Sequence, residues 1–206
     1  MPEVRPLERE LERPAAEVLA AAFIDDPGWS AVGPRSRTRR LKMLERFFRG
    51  HMGVARRWGG PIYAAFDGAG PLGALIAFEE GQFPPPPQSM LKEAPGMLAA
   101  GPGTTIRALR GQATLAAGHP EEPHAFVSML GVHPDNQRSG AGRALLGQVL
   151  AEADEREVPV YLDTANPDNL PYYRSFGFEL TGQGDLPRGA TIWYLLRPIG
   201  ARYART

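Results

Sequence analysis

Two early stretches of the chain repeat apolar residues every three or four positions and predict amphipathic helices. The first is 15–24 (AAEVLAAAFI), which stops before DDPGW; the second is 38–54, with apolar residues at 41, 44, 47, 48, 52 and 54. Residues 4–7 predict a short first strand. Residues 62–66 and 72–78 predict two strands joined by the turn DGAGP. GQFPPPPQSM then interrupts the pattern, because four successive prolines remove four N–H donors. Residues 88–118 have loose helical spacing, with breaks at Pro95 and Gly101. The order then sharpens: a strand over 124–132, a loop HPDNQRSGAG, and a helix over 143–156 with apolar positions 145, 146, 149, 150 and 153. VPVYLDT is a strand, NPDNLPYYRSFGF a loop, short helix and turn, and 190–196 (ATIWYLL) a last strand.

A strand, a helix and a strand within about 40 residues predict a parallel pair with a right-handed crossover. The flanking strands read as antiparallel hairpins, so the class is mixed α/β (α+β). The chain has 206 residues, 43% of them hydrophobic, which suits one domain over 1–206. Residues 81–123 read as an irregular, proline-rich and partly helical insert that shapes a ligand pocket. Basic and acidic residues balance at 23 each, which speaks against a nucleic-acid partner. No apolar run approaches the ~20 residues of a membrane span. The charged start MPEVRPLERELERP is no secretory signal, so a cytoplasmic location is expected. With no cysteine, disulfides, thiolate metal sites and cysteine nucleophiles are excluded, and four scattered histidines suggest no metal site. The basic cluster Arg35, Arg37, Arg39, Arg40 and Lys42 reads as a solvated helix edge, with an anion site as the alternative.

The stretch Gln137-Arg138-Ser139-Gly140-Ala141-Gly142-Arg143 lies where strand gives way to helix. It is an ordinary turn or a phosphate cradle. The first N–H groups of a helix lack internal partners, and the helix dipole favours an anion there. Glycine lets the backbone approach closely, and the two arginines add charge. The P-loop pattern fails, since Arg143 and Ala144 stand where it needs lysine and then serine or threonine. The dinucleotide fingerprint fails because position 145 is leucine.

The loop does resemble the acyl-CoA loop of the GNAT (Gcn5-related) N-acetyltransferases, Gln/Arg-x-x-Gly-x-Gly/Ala, and Gln137 to Gly142 fits it. The family also shows an asparagine after the next strand, a tyrosine seven residues on, and then Gly-Phe. Asn166, Tyr173, Gly177 and Phe178 match. Within the family the likeness is clearest, over 122–197, to members that resemble puromycin N-acetyltransferase.

The resemblance implies a GNAT fold with a mixed central sheet of about six to seven strands, splayed between the fourth and fifth. It implies acetyl-CoA as co-substrate, no metal, and direct transfer of the acetyl group to a primary amine. Arg138 to Arg143 would then receive the pyrophosphate, and Leu130, Gly131 and Val132 the pantetheine arm, with Gly131 as a bulge residue. An N–H near Leu130 would polarise the thioester carbonyl. Asn166 would bond the arm, or simply cap a turn. Tyr173 would protonate the leaving thiolate, or simply pack in the core; Tyr172 beside it lies off the motif spacing. The general base is not fixed by any motif: Glu79 and Glu80 rank first, ahead of His119, Glu122 and His124. The expected acceptor is a small-molecule amine. The alternatives are a protein or peptide amine, or a catalytically silent acyl-CoA-binding module. The expected assembly is a monomer or homodimer.

Overall fold

The computed structural model describes residues 2–68, 70–84 and 101–201. Seven strands form one sheet: β1 (Glu3–Pro6), β2 (Ile62–Phe66), β3 (Pro71–Phe78), β4 (Ala125–Val132), β5 (Val160–Thr164), β6 (Glu179–Asp185) and β7 (Thr191–Arg197). Their order is β1-β2-β3-β4-β5-β7-β6. All neighbours are antiparallel except β4 and β5. The sheet is the mixed α/β arrangement that the element pattern predicts.

Helices cover both faces. On one lie α1 (Glu12–Phe23) and α3 (Arg37–Arg57), packed on each other and on β3. The apolar stripe of α1 buries Ala15, Ala16, Leu19 and Ala20, and α3 buries Leu44, Phe47, Phe48 and Met52. On the other face α5 (Ala141–Glu155) crosses β2, β3 and β4, burying Leu145, Leu146, Val149 and Leu150. The short α6 (Leu170–Arg174) lies on the α5 side. α4 (Pro102–Gly118) packs against β6 and α2 (Pro27–Val32). The break expected at Gly101 is where α4 begins, with Gly101 at φ +96°; Pro95 lies outside the described residues. Among the described residues no helix is long and apolar enough to cross a membrane.

Two elements escape the periodicity reading. DDPGW is a helix start as well as a stop: Asp26 caps α2 by accepting the Trp29 N–H at 3.0 Å, and Pro27 takes the first position. β6 is an edge strand, ELTGQGD, mostly exposed along its length, so it carries no apolar alternation.

The parallel pair is short. β4 meets β5 only at Ala125–Val160, Phe126–Tyr161 and Val127–Leu162. β5 continues with β7 to Thr164–Trp193, and β4 continues with β3 to Val132–Gly73. The register of β4 against β3 shifts between Ala77–Val127 and Ile76–Met129, so the extra residue is Ser128. This corrects the expectation that Gly131 is the bulge. Gly131 is small for another reason: a Cβ there would meet Leu19 Cδ2 at 2.9 Å, Ala22 Cβ at 3.0 Å and Phe23 Cε2 at 3.1 Å. The strand and α1 touch backbone to side chain at that point.

Arg197, 1% exposed, closes the other end of the α5 face. Its guanidinium grips Asp154 of α5 at 2.6 and 3.2 Å and donates through Nε to the Phe176 carbonyl at 3.0 Å. The turn after α6 is thereby tied to the sheet.

Three stability outcomes follow, each read by chemical denaturation. Gly131→Ala overpacks the α1 contact and lowers the unfolding free energy by about 1–3 kcal/mol. Asp154→Ala leaves the buried Arg197 without its carboxylate and costs about 3 kcal/mol. Arg156→Ala, which breaks a half-exposed pair with Glu79, costs less than about 1 kcal/mol.

Candidate active site

The divergence of β4 from β5 leaves one edge of β4 unpaired over residues 128–132, in the middle of the sheet. Ser128, Met129, Leu130 and Val132 are half-buried there, while Gly131 is covered by α1. Strand N–H and C=O groups need partners, so this edge is a ready template for an extended ligand. Leu130 and Val132 pack toward the α5 face and Met129 toward the α1–α3 face.

At the end of β4 the chain turns through Pro134–Asn136, a single 3-10 turn capped by His133. Arg138 takes φ +63°, a conformation uncommon for a residue with a Cβ. Gly140 takes φ +89° as the N-cap of α5. Gln137, Arg138, Ser139 and Gly140 are exposed, and the Ser139 hydroxyl accepts the Ala141 N–H at 3.4 Å. Ala141 is buried beneath the loop. At Gly142 a Cβ would lie 3.4 Å from the Tyr172 Oη and 3.6 Å from Val132 Cγ2. The Arg143 guanidinium sits over the Phe176 ring at 4.8 Å. The first turn of α5, the unpaired β4 edge and the α6 tyrosines thus share one corner.

Tyr173 is 8% exposed, stacked edge-on against Tyr172 and Phe178. Burial raises its phenol above the ordinary range, helped by Tyr172, Asp163 and Asp26, so it carries its proton at neutral pH. The Tyr172 hydroxyl is buried with no hydrogen-bond partner among the described residues, and burial pushes it up to about 12 against the opposing pull of Arg143. Asn166 caps the next turn: its side-chain oxygen accepts the Asp168 N–H at 3.0 Å. Its amide nitrogen can donate beyond the turn.

The first-ranked bases are not brought to this corner. Glu79 and Glu80 follow Phe78, which pairs with Phe126, so they lie at the end where β4 and β5 are still joined. Glu79 is held by Arg156 at 3.0 Å, and Glu80 is exposed. His119 and His124 meet through their Nε2 atoms at 2.8 Å. His124 Nδ1 lies 2.6 Å from the Glu122 carbonyl, which accepts only; in the neutral pair His124 Nε2 therefore accepts from His119. Burial lowers His119 to about 4, with His124 adding to it, so His119 stays neutral at pH 7.

Several residues that sequence reasoning passed over do reach the opening. The bulge residue Ser128 donates to the Ile76 carbonyl at 3.0 Å and lies 3.0 Å from His51 Nε2. Asp163 follows Leu162, the last residue of β5 that pairs with β4. Burial raises Asp163 to about 7, and Asp26 adds to the effect. A carboxylate ending a buried parallel strand was the signal available for it. Arg40 is no solvated edge: it is buried and donates to the carbonyls of Ile24 (2.7 Å) and Pro34 (3.0 Å), which fixes the segment that carries Asp26. Among the described residues no three acidic or histidine side chains form a metal-holding group.

The fold is shared with known acetyltransferases. The histone acetyltransferase HPA2 and related acetyltransferase from Corynebacterium glutamicum superposes with a TM-score of 0.70 at 19% identity, covering 98% of this chain and 99% of that one. The polyamine N-acetyltransferase of Drosophila melanogaster gives 0.59 at 16% identity, covering 95% and 99%. The NatC complex bound to Gag peptide and CoA gives 0.52 at 14% identity, covering 96% and 98%. Residues 77–178, which span the β4 edge, the glycine loop and α6, match the acetyltransferase (GNAT) family model, and the chain belongs to that family.

Proposed function

We propose that this enzyme moves an acetyl group from acetyl-CoA directly to the primary amine of a small molecule. The observation that carries the reading is the unpaired edge of β4 running straight into the glycine-capped start of α5. An extended amide arm suits the first feature and a pyrophosphate suits the second. The fit is also chemical: the partnerless Tyr172 hydroxyl sits beside Gly142, where a phosphate or amide oxygen would accept its proton.

Acetyl-CoA supplies the activated thioester. In this reading the N–H groups of residues 138–143 receive the pyrophosphate, with Arg138 and Arg143 adding charge-assisted contacts. Residues 130–132 align the arm through their backbone, and the Leu130 N–H stabilises the carbonyl oxygen as charge develops on it. Asn166 holds the arm through its amide nitrogen. Tyr173, kept protonated by burial, donates to the departing sulfur.

The small-molecule class is favoured by the cover over the acceptor side. α4 is anchored across the outer strands: the Tyr194 hydroxyl donates to the Thr114 carbonyl at 2.8 Å, and the Thr114 hydroxyl donates to the Asp185 carbonyl at 3.0 Å. The helix 102–118 within the 81–123 insert is thus proposed to wall the acceptor side.

A thiol-release assay with acetyl-CoA tests this reading against puromycin, aminoglycosides, polyamines, amino acids and short peptides. Release with one small-amine class is the expected result. Tyr173→Phe lowers kcat about 100-fold or more while acetyl-CoA still binds by calorimetry. Failure of the wild-type protein to bind acetyl-CoA at all sinks the proposal; release only with peptides moves the acceptor to the peptide class.

A further inference from the structure

An alkyl amine at neutral pH is an ammonium ion, and it attacks a thioester only after losing a proton. The structure supplies an acceptor for that proton that no motif marks. Asp163 is the first residue of β5 beyond its pairing with β4, and its backbone pairs only with Tyr194 of β7. Side chains alternate along a strand, so Asp163 shares a face with Tyr161 and not with Val160 and Leu162. Tyr161 packs with the α1–α3 cluster, whereas Val160, Leu162 and Tyr173 pack with the α5 cluster. Asp163 and Tyr173 therefore flank the mouth of the β4–β5 opening from opposite faces of the sheet.

Asp26 joins Asp163 from the link between α1 and α2. The place of a Cβ on Gly28 lies 2.9 Å from Ala165 Cβ and 3.2 Å from Asp26 Oδ1. That contact seats Asp26 against the chain two residues past Asp163. A second, independent feature marks the same space. The Tyr161 side chain is fully buried, and its hydroxyl has no hydrogen-bond partner among the described residues. It lies near enough for Asp163 to raise its pKa. A protein core does not strand a hydroxyl beside desolvated carboxyls without cost, and such costs gather at functional sites.

We propose that Asp163, with Asp26 beside it, is the general base that deprotonates a cationic amine acceptor. This rests on the acetyltransfer reading above. The Asp163 carboxylate takes one proton from R–NH3+, giving R–NH2. The amine nitrogen forms the bond to the acetyl carbon, and the C–S bond breaks. Tyr173 protonates the sulfur, and the second proton shed by the nitrogen restores the phenol. Asp163 returns its own proton to water. The groups that bear on Asp163 are Asp26 from the α1–α2 link, Tyr161 on its own strand, Tyr194 on β7 and Tyr173 on α6. His119, stacked on Tyr161 at 4.7 Å, stays neutral. None of them brings a positive charge, so the two carboxyls select one in the acceptor. Asp163 is mostly but not fully buried, so its proton can exchange with water.

The test pairs a pH–rate profile with a pH–stability profile, using spermidine, puromycin and glycylglycine as acceptors. Wild-type log kcat/KM is expected to climb through a limb centred near pH 7. Asp163→Asn lowers kcat/KM about 100-fold or more at pH 7, keeps acetyl-CoA binding, and removes that limb. Asp26→Asn moves the limb to lower pH, because one neighbouring negative charge is gone. The stability arm needs no acceptor. With a folded-state pKa above the unfolded one, the folded protein holds the extra proton between about pH 4 and 7. Asp163 thus contributes stability that is lost as pH rises through that window, whereas His119, lowered to about 4, contributes the opposite slope in wild type and variant alike; the Tm difference between wild type and Asp163→Asn therefore falls as pH rises. An Asn variant within threefold of wild type that keeps the limb overturns the base assignment and leaves acetyltransfer standing. No release with any of the three amines overturns the acceptor reading; a Tm difference between wild type and Asp163→Asn that does not change with pH then overturns Asp163 as well, and one that falls with rising pH upholds its proton uptake.

Discussion

The structure depends on one missing set of hydrogen bonds. A strand in the middle of a seven-stranded sheet ordinarily has partners on both sides, and β4 keeps them for only three residues. From Ser128 onward it has β3 on one side and an opening on the other. Backbone polar groups inside a protein need partners, so such an edge persists only where neighbours force the strands apart and a ligand can complete them. The forcing parts are visible. The extra residue at Ser128 turns the strand, and its hydroxyl is tied to Ile76 and His51. α1 presses on Gly131 from one face. On the other, α6 is held to the sheet through Arg197 and the Phe176 carbonyl.

That opening organises the electrostatics. One face offers a phenol that burial keeps protonated, and the other offers Asp163, which burial raises to about 7. Desolvation drives both shifts in the same chemical direction, toward the neutral form. The consequences are opposite, because a neutral phenol is an acid in waiting and a neutral carboxyl has just accepted a proton. In the proposed reading, Tyr173 protonates the sulfur and Asp163 takes the first proton from the nitrogen, so the two steps begin at separate sites.

The same region concentrates the unfavourable local terms. Arg138 and Gly140 sit at positive φ in the loop, the Tyr161 and Tyr172 hydroxyls are buried without partners among the described residues, and the negative charge of Asp26 bears on Asp163. Outside it the Trp58 indole N–H is also buried without a partner among the described residues, but the buried arginines are matched: Arg40 has two carbonyls, and Arg197 has a carboxylate and a carbonyl. A core that satisfies its arginines but not these groups has its frustration where a ligand would relieve it.

Local chemistry determined much of this protein from sequence alone. Periodicity laid out the long helices and β1 to β5, and strand–helix–strand spacing implied the parallel pair. The glycine loop showed itself because glycine, arginine and a helix start are adjacent in the chain. Tyr173 was legible because its distance from Asn166 and from Gly177-Phe178 is fixed locally. Tertiary structure decided the rest. β6 has no periodicity because it lies at an exposed edge. The bulge falls on Ser128 because register is a property of two strands. Glu79 and Glu80 lie at the joined end of the sheet, which their place after a strand could not reveal. Asp26 and Asp163 are 137 positions apart in the numbering and meet only when α2 packs on the end of β5. A residue's chemistry is written in the chain, but its proton affinity is set by neighbours that only folding assembles.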